Sequence, residues 1–245
     1  MTDAGPGGAR AVVGLLVNPI AGIGGRVGLK GSDGAATVRR ALAMGAAPVA
    51  GERAAAAVRQ MLARWPAAVP PPVVVAGPAE MGAAVALAAG STPDVIGSIV
   101  PGATTAADTT RLAGLMAERG VDLLLFAGGD GTARDVHAGL RGARVPVLGI
   151  PAGVKIQSAV FATSPAAAGD VAAAFLAMPA GRRRTETRDV LDLDEDAYRR
   201  GEMAPRLWGE LAVPAERRRV QAGKEPTPAS EAAAAAAIAA EVVAA

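Results

Sequence analysis

The residues of this chain that point most directly to chemistry lie in segment 123–135, LLLFAGGDGTARD. Its apolar run ends in Gly128 and Gly129, which have no Cβ to keep an anion away from the backbone amides, and Thr132 lies where a helix would begin with its positive dipole end at the same place. Phosphate would repel a carboxylate at Asp130 unless that carboxylate had a function there. It would either orient or deprotonate a hydroxyl that attacks a phosphoryl group, or hold a magnesium ion. The alternative interpretation is a tight turn in which Asp130 caps the helix.

A second segment, residues 17–34, reads VNPIAGIGGRVGLKGSDG and is rich in glycine. Its glycines are Gly22, Gly24, Gly25, Gly28, Gly31 and Gly34. So many glycines cost folding entropy and are typical of backbone that meets a ligand. The segment holds Asn18, the only asparagine, and Lys30, a candidate counter-charge for phosphate or carboxylate. The alternative interpretation is a flexible surface loop. Neither a P-loop pattern nor the G-x-G-x-x-G dinucleotide spacing is present.

A third segment, residues 148–158, reads LGIPAGVKIQS and again ends an apolar run in a turn of small residues. It would bring Lys155, Gln157 and Ser158 to the edge of the sheet where the other two segments end. The alternative interpretation is an ordinary strand-to-helix turn with a solvated lysine.

The composition of the 245 residues excludes several classes of function. The absence of cysteine excludes disulfide scaffolds, thiolate zinc sites, iron–sulfur clusters and cysteine nucleophiles, and a single histidine, His137, excludes a multi-histidine metal site. Three Phe, two Trp and one Tyr leave few side chains for base stacking, and a net charge of +2 does not indicate a nucleic-acid partner.

Short apolar runs alternate with stretches of helical spacing. The runs that predict strands are residues 12–17, 73–76, 95–100, 123–127 and 147–150. Their lack of polar alternation predicts strands buried on both faces. We therefore predict an α/β fold, an open and mostly parallel Rossmann-like sheet with helices on both faces. The pairs Thr105 with Asp108 and Thr132 with Asp135 predict helix starts, as does Ser164 before a proline.

The pattern of apolar and polar residues changes after residue 181. Residues 1–10 are predicted to be a disordered tail, 11–181 an α/β nucleotide-binding domain, and 182–245 the start of a β-rich second domain with a strand at 207–213 and an alanine-rich C-terminal helix. The unpaired second domain leads us to expect a homo-oligomer. With no signal peptide and no apolar run of about 18 residues, we expect a cytoplasmic protein without a membrane partner.

Other charged residues favour structural interpretations. His137 has no visible partner, and the arginine runs 182–184 and 217–219 are typical of solvated faces, with anion recognition as the alternative. Strand alternation would expose a group of acids, for which magnesium binding is the less favoured interpretation. These acids are Asp189, Asp192, Asp194 and Glu195.

The three segments, in this order, resemble the superfamily of NAD kinases, diacylglycerol kinases and sphingoid kinases. The chain is most similar to the ATP-NAD kinase-like family that includes the acetoin-catabolism protein X group. The resemblance covers VNPIAGIGGRVGLKGSDG, AGGDGTARDV and GIPAGVKIQSAVFATSP, with weaker pieces at DVLDLDEDAYRRG, RLWGELAVP and residues 221–224. Members of the family continue past the alanine-rich helix into a glycine-rich strand and turn, so we expect part of the acceptor site to be missing from this chain.

The resemblance implies ATP- and Mg²⁺-dependent phosphorylation of a hydroxyl of NAD or a related small molecule, with Asp130 contacting the acceptor hydroxyl. The residues it places around nucleotide and phosphates are Asn18, Gly24, Gly25, Lys30, Gly128, Gly129, Gly131, Thr132, Lys155 and Ser158. No metal ligand is assigned. The alternative is a non-catalytic nucleotide-binding accessory protein of acetoin-type catabolism. A lipid kinase-like enzyme would need a large apolar acceptor pocket, which the sequence does not indicate.

Overall fold

A computed structural model describes residues 10–23, 35–153, 156–193, 205–216 and 219–221. The strands are β1 (Val12–Val17), β2 (Val73–Ala76), β3 (Asp94–Val95), β4 (Leu123–Gly128), β5 (Val147–Pro151), β6 (Thr185–Leu193) and β7 (Pro205–Pro214). The helices are α1 (Ala35–Ala43), α2 (Ala50–Ala63), α3 (Ala83–Ala88), α4 (Ala106–Glu118), α5 (Asp130–Leu140) and α6 (Pro165–Ala177), with 3₁₀ turns at Ala79–Met81 and Ala180–Arg182. The predicted N-terminal tail, up to residue 9, and the alanine-rich predicted helix lie outside the described residues.

The strands β1 to β5 form one parallel sheet in the order β3-β2-β1-β4-β5. The chain runs outward from β1 through β2 and β3, then returns to the other side of β1 to add β4 and β5. The order therefore reverses between β1 and β4. In open α/β sheets the crevice at such a reversal, outside the carboxyl ends of the strands, is where ligands bind.

Helices cover both faces of this sheet, as the sequence predicts. α2 and α6 pack against each other and over β4 and β5, while α4 and α5 pack against each other and over β1 and β4. Every residue of β4 is consequently buried, which is why its sequence is a continuous apolar run. The ring of Phe126 meets that of Phe161 edge-on at 5.2 Å between centroids, and Gly149 provides the space for Phe161.

The strand predicted over residues 95–100 is present but its predicted extent is wrong. The strand β3 has only two residues and pairs only with the end of β2. Gly97, with φ of +74°, turns the chain away immediately after it. An edge strand pairs on one side only, so apolar residues there do not enforce a long extended segment.

Two of the three predicted helix starts are confirmed, and one is wrong. Thr105 and Asp108 form the predicted capping box, with the backbone N–H of Thr105 donating to Asp108 Oδ2 at 3.0 Å. A hydrogen bond from Arg111 holds the pKa of Asp108 below its ordinary value. Ser164 caps α6 by accepting the N–H of Ala167 at 3.1 Å. Thr132, by contrast, does not start α5, because that helix already begins at Asp130.

The second sheet is an antiparallel hairpin of β6 and β7, in agreement with the predicted β-rich continuation. Its register shifts between Val190 and Leu191, so that Trp208 is an extra residue on β7. Such a bulge re-aims a side chain. The hairpin packs against α5 and β5, which places it beside the end of β4.

The arginine runs are not simply solvated. Arg183 is largely buried and forms an ion pair with Asp122 at 2.6 Å, and the backbone N–H of Val12 donates to the same carboxylate. Arg219 forms an ion pair with Asp170 of α6 at 3.2 Å, whereas residues 217 and 218 lie outside the described ranges. Arg182 and Arg184 are exposed, as predicted, whereas Arg183 and Arg219 bind carboxylates of the protein itself.

Gly169 allows α2 and α6 to approach closely. A Cβ at this position would lie 2.4 Å from the carbonyl oxygen of Ala57. We expect Gly169→Ala to lower the free energy of unfolding by about 1–3 kcal/mol, even though alanine normally favours a helix, because the two helices would have to separate. Urea unfolding measures this. Gly181→Ala is the control: its Cβ would meet nothing within 4 Å, and an equal loss there would contradict the packing argument.

Among the helices that the structure describes, none is both long enough and apolar enough to cross a membrane.

Candidate functional site

The first two predicted segments meet at the reversal point of the sheet. Asn18 directly follows β1, and its Nδ2 donates to Thr132 Oγ1 in the first turn of α5 at 3.0 Å. The backbone N–H of Asn18 donates to the carbonyl of Ala127 on β4 at 3.0 Å. Thr132 is buried, so its hydroxyl ties the start of α5 to the end of β1. Both residues belong to the predicted site, and the structure brings them together.

The third segment closes over the end of β4. Gly128 is paired with Pro151, and its carbonyl accepts the N–H groups of Ala152 and Gly153 at 2.8 and 3.1 Å. Gly129 and Gly153 then face each other, since a Cβ on Gly153 would lie 3.1 Å from the Cα of Gly129. The two turns therefore pack backbone against backbone, an approach that residues without a side chain allow.

The glycine-rich loop after β1 reaches the same place. Gly22 has a φ of +77°, and a Cβ on it would lie 2.0 Å from the carbonyl oxygen of Ala152 and 3.1 Å from the side chain of Val49 at the start of α2. The described part of this loop therefore packs directly on the third segment. Four further predicted site residues lie outside the described residues. These are Gly24, Gly25, Lys30 and Lys155.

The carboxylate of Asp130 points across the site and does not cap its own helix. Gly129 is the N-cap residue of α5, so the interpretation of Asp130 as the cap is wrong. The carboxylate oxygens Oδ2 and Oδ1 accept the backbone N–H groups of Gln157 and Ser158 at 2.8 and 2.9 Å. A carboxylate has about four acceptor positions, and these two bonds hold it in one orientation at the mouth of the turns.

The hydroxyl of Ser158 is not placed to bind phosphate, which corrects the prediction for this side chain. Ser158 is fully buried. Its Oγ donates to the carbonyl of Leu191 on β6 at 2.8 Å and accepts the N–H of Leu191 at 3.0 Å. Ser158 thus belongs to the site through its backbone N–H on Asp130.

Sequence reasoning considered Asp192 only as a possible magnesium ligand and missed the charged cluster that it forms on the hairpin side of α5. Arg134 donates to Asp192 Oδ2 at 2.8 Å, and its guanidinium lies 5.4 Å from the centroid of the Trp208 ring. Arg206 lies 4.7 Å from the same centroid. A Cβ on Gly131 would be 3.7 Å from Asp192 Oδ2, so the cluster borders the glycine turn. No sequence signal marks it, because the bulge that places Trp208 arises only when β6 and β7 pair.

A second missed residue is Arg53, in the first turns of α2. Its Nη1 donates to the carbonyl of Pro151 at 2.9 Å, and the side chain is exposed. A guanidinium carries five N–H donors, so an arginine at this position can contact an anion held by the adjacent turns.

Among the remaining candidates that the structure describes, His137 and Asp192 make contacts within the protein. The ring of His137 packs against Gly209 of β7, where a Cβ would lie 2.3 Å from Nε2. Asp189 is exposed and Asp192 is paired with Arg134, while Asp194 and Glu195 lie outside the described residues. Within the described ranges, no group of three or more His, Cys, Asp or Glu side chains lies together in a way that could hold a metal ion.

Comparisons with known proteins identify the family to which the residues at this edge of the sheet belong. No curated protein and no solved structure matches the sequence. A family model does match: the ATP-NAD kinase N-terminal domain, over residues 13–179. That range contains Asn18, the Gly-Gly-Asp-Gly turn and Ser158, and it confirms the family predicted from the three segments. Since it also covers more than half of the chain, this protein belongs to the ATP-NAD kinase N-terminal domain family.

Proposed function

We propose that this protein is an ATP-dependent phosphotransferase that transfers a phosphoryl group to a hydroxyl of NAD or a related small molecule. The observation that carries the proposal is the carboxylate of Asp130, which two backbone N–H groups orient at the point where three glycine-containing turns converge. Membership of the ATP-NAD kinase N-terminal domain family supports kinase-like chemistry. NAD as the acceptor rests on the resemblance to NAD kinases.

The proposed reaction is a direct transfer. The acceptor hydroxyl attacks the γ-phosphorus of ATP, a new oxygen–phosphorus bond forms, and the bond from the γ-phosphorus to the bridging β,γ-oxygen breaks to release ADP. Asp130 orients the hydroxyl and accepts its proton. Such a reaction needs positioning and electrostatic stabilisation more than covalent chemistry from the protein.

The glycine turns and the start of α5 support the binding of a polyphosphate at this edge of the sheet. Gly129 and Gly153 face each other at the carboxyl edge, and the dipole of α5 has its positive end there. Magnesium bound to ATP would supply charge neutralisation, and we assign it no protein ligand. Lys30 and Lys155 remain the predicted counter-charges, and a cytoplasmic location and self-association remain predictions from the sequence.

The test of the proposed function is a titration of the purified protein with ATP, NAD and Mg²⁺, followed by an assay for ADP and a phosphorylated product. We expect binding of ATP and formation of product. Binding of ATP without product from NAD or other hydroxyl compounds would instead favour the alternative, a non-catalytic nucleotide-binding accessory protein of acetoin-type catabolism. Failure to bind any nucleotide would contradict both proposals.

Arg53 provides a more local prediction. We expect Arg53→Ala to weaken the binding of ATP and of inorganic triphosphate about tenfold, because a charge-assisted hydrogen bond to phosphate would be lost. The fold should be unaffected, since the side chain is exposed. Isothermal titration calorimetry measures both affinities.

Arg59→Ala is the matched control for Arg53→Ala, since Arg59 is also an exposed arginine of α2. Its replacement should leave both affinities within about twofold of the wild-type values. Equal losses of affinity in the two variants would mean that phosphate binding depends only on the net charge of α2. Arg53 would then make no specific contact with phosphate.

A further inference from the structure

We infer that Ser158 is a positioning residue, which holds Asp130 in its reactive orientation by anchoring the segment 156–158 to strand β6. The inference rests on the proposed function, because it concerns how the proposed acid is placed. It assigns the hydroxyl of Ser158 a role that differs from phosphate binding.

The first step of the argument is the way Asp130 is held. Its two oxygens accept N–H groups from adjacent residues, Gln157 at 2.8 Å and Ser158 at 2.9 Å. A carboxylate bound at both oxygens by neighbouring amides has its plane fixed relative to those amides. The orientation of Asp130 therefore depends on where the segment 156–158 lies.

The second step is the anchoring of that segment. The hydroxyl of Ser158 donates to the carbonyl of Leu191 at 2.8 Å and accepts its N–H at 3.0 Å, so one side chain satisfies both backbone groups. The N–H of Ala159 donates to the carbonyl of Asp189 at 3.1 Å and continues the attachment along β6. Because Ser158 is fully buried, water has no direct access to replace the hydroxyl if it is removed.

The third step is that β6 also contacts the helix that carries Asp130. Asp192, next to Leu191, forms an ion pair with Arg134 of α5 at 2.8 Å, with both side chains largely buried. Two consecutive residues of β6 thus attach to the two elements that orient the acid. Loss of the Ser158 attachment would remove two of the hydrogen bonds that join the segment 156–158 to β6 while α5 stayed in place, and the carboxylate would shift from its alignment.

The main experiment compares Ser158→Ala with Ser158→Thr in the full chain. We expect Ser158→Ala to lower kcat about tenfold or more and to leave KM for ATP within about twofold, because the hydroxyl aligns the acid and does not touch the nucleotide. Ser158→Thr keeps a hydroxyl and should restore most of kcat. A wild-type kcat in Ser158→Ala, or a loss confined to KM, would overturn the inference.

Ser164→Ala is the matched control. It also removes a serine hydroxyl that bonds to backbone, at the N-cap of α6, and should lower the stability of the protein measurably. Its kcat should equal that of the wild type. An equal loss of kcat in Ser164→Ala would show that any local destabilisation has this effect, and the positioning role would be rejected.

A double-mutant cycle tests the link without any assay of activity. Urea unfolding of Ser158→Ala, Asp130→Asn and the double variant gives the coupling between the two sites. We expect a coupling of about threefold or more in the unfolding equilibrium constant, since either change loosens the same segment. Strict additivity would overturn the inference even in an active enzyme. If the wild type binds nucleotide but transfers no phosphoryl group, the proposed function fails, and the cycle alone decides whether Ser158 places Asp130.

Discussion

Replacing Asp130 with Asn is expected to lower kcat for phosphoryl transfer by about 10²–10⁴-fold, because an amide cannot accept the proton of the attacking hydroxyl. The structure adds a second consequence. An Asn side chain has one acceptor oxygen, whereas the carboxylate accepts N–H groups from both Gln157 and Ser158. One of these amides would face an NH₂ group, so a loss of about 1–3 kcal/mol in the free energy of unfolding should accompany the loss of turnover.

Single-turnover formation of ADP and product measures the chemical step of this variant, and urea unfolding measures its stability. Asp170→Asn is the control. Asp170 lies on α6 and accepts bonds from Gln60, Arg64 and Arg219. None of these belongs to the three turns, so loss of the Asp170 carboxylate should reduce stability without reducing kcat. Undiminished kcat in Asp130→Asn would reject Asp130 as the catalytic residue. A similar loss of kcat in both variants would do the same.

Gly22→Ala is expected to have the largest effect on the architecture of the site. Its φ of +77° is strained for alanine, and the added Cβ would lie 2.0 Å from the carbonyl oxygen of Ala152. The loop after β1 would have to move away from the third segment. We expect the free energy of unfolding to fall by roughly 2–5 kcal/mol and the affinity for ATP to fall at least tenfold.

Gly45→Ala separates the two causes of that effect. Gly45 has nearly the same φ, +81°, but a Cβ there would meet nothing within 4 Å. The free energy of unfolding of the Gly45→Ala variant should therefore fall by only about 1–2 kcal/mol, the cost of an alanine with a left-handed backbone. Its affinity for ATP should equal that of the wild type. Urea unfolding and calorimetric titration of both variants decide the question. If Gly22→Ala behaves like Gly45→Ala, the contact between the first and third segments does not maintain the site.

Local sequence determined the parts of this protein that depend on neighbouring residues. The runs at 12–17 and 123–127 have the apolar composition of strands buried on both faces, and Thr105 with Asp108 has the spacing of a capping box. Glycine next to the end of a strand indicates backbone that packs closely against another group, whatever that group is. For these reasons the parallel α/β fold and the convergence of three turns were predictable.

Only the tertiary structure decided what each polar side chain contacts. Asp130 meets amides 27 and 28 residues later in the chain, and Ser158 meets Leu191 a further 33 residues on. Trp208 reaches Arg134 because a register shift places an extra residue on β7. A residue type shows which bonds a side chain is able to make. Its partner depends on which distant segments pack together, and that depends on the burial of the whole core, which no short stretch of sequence contains.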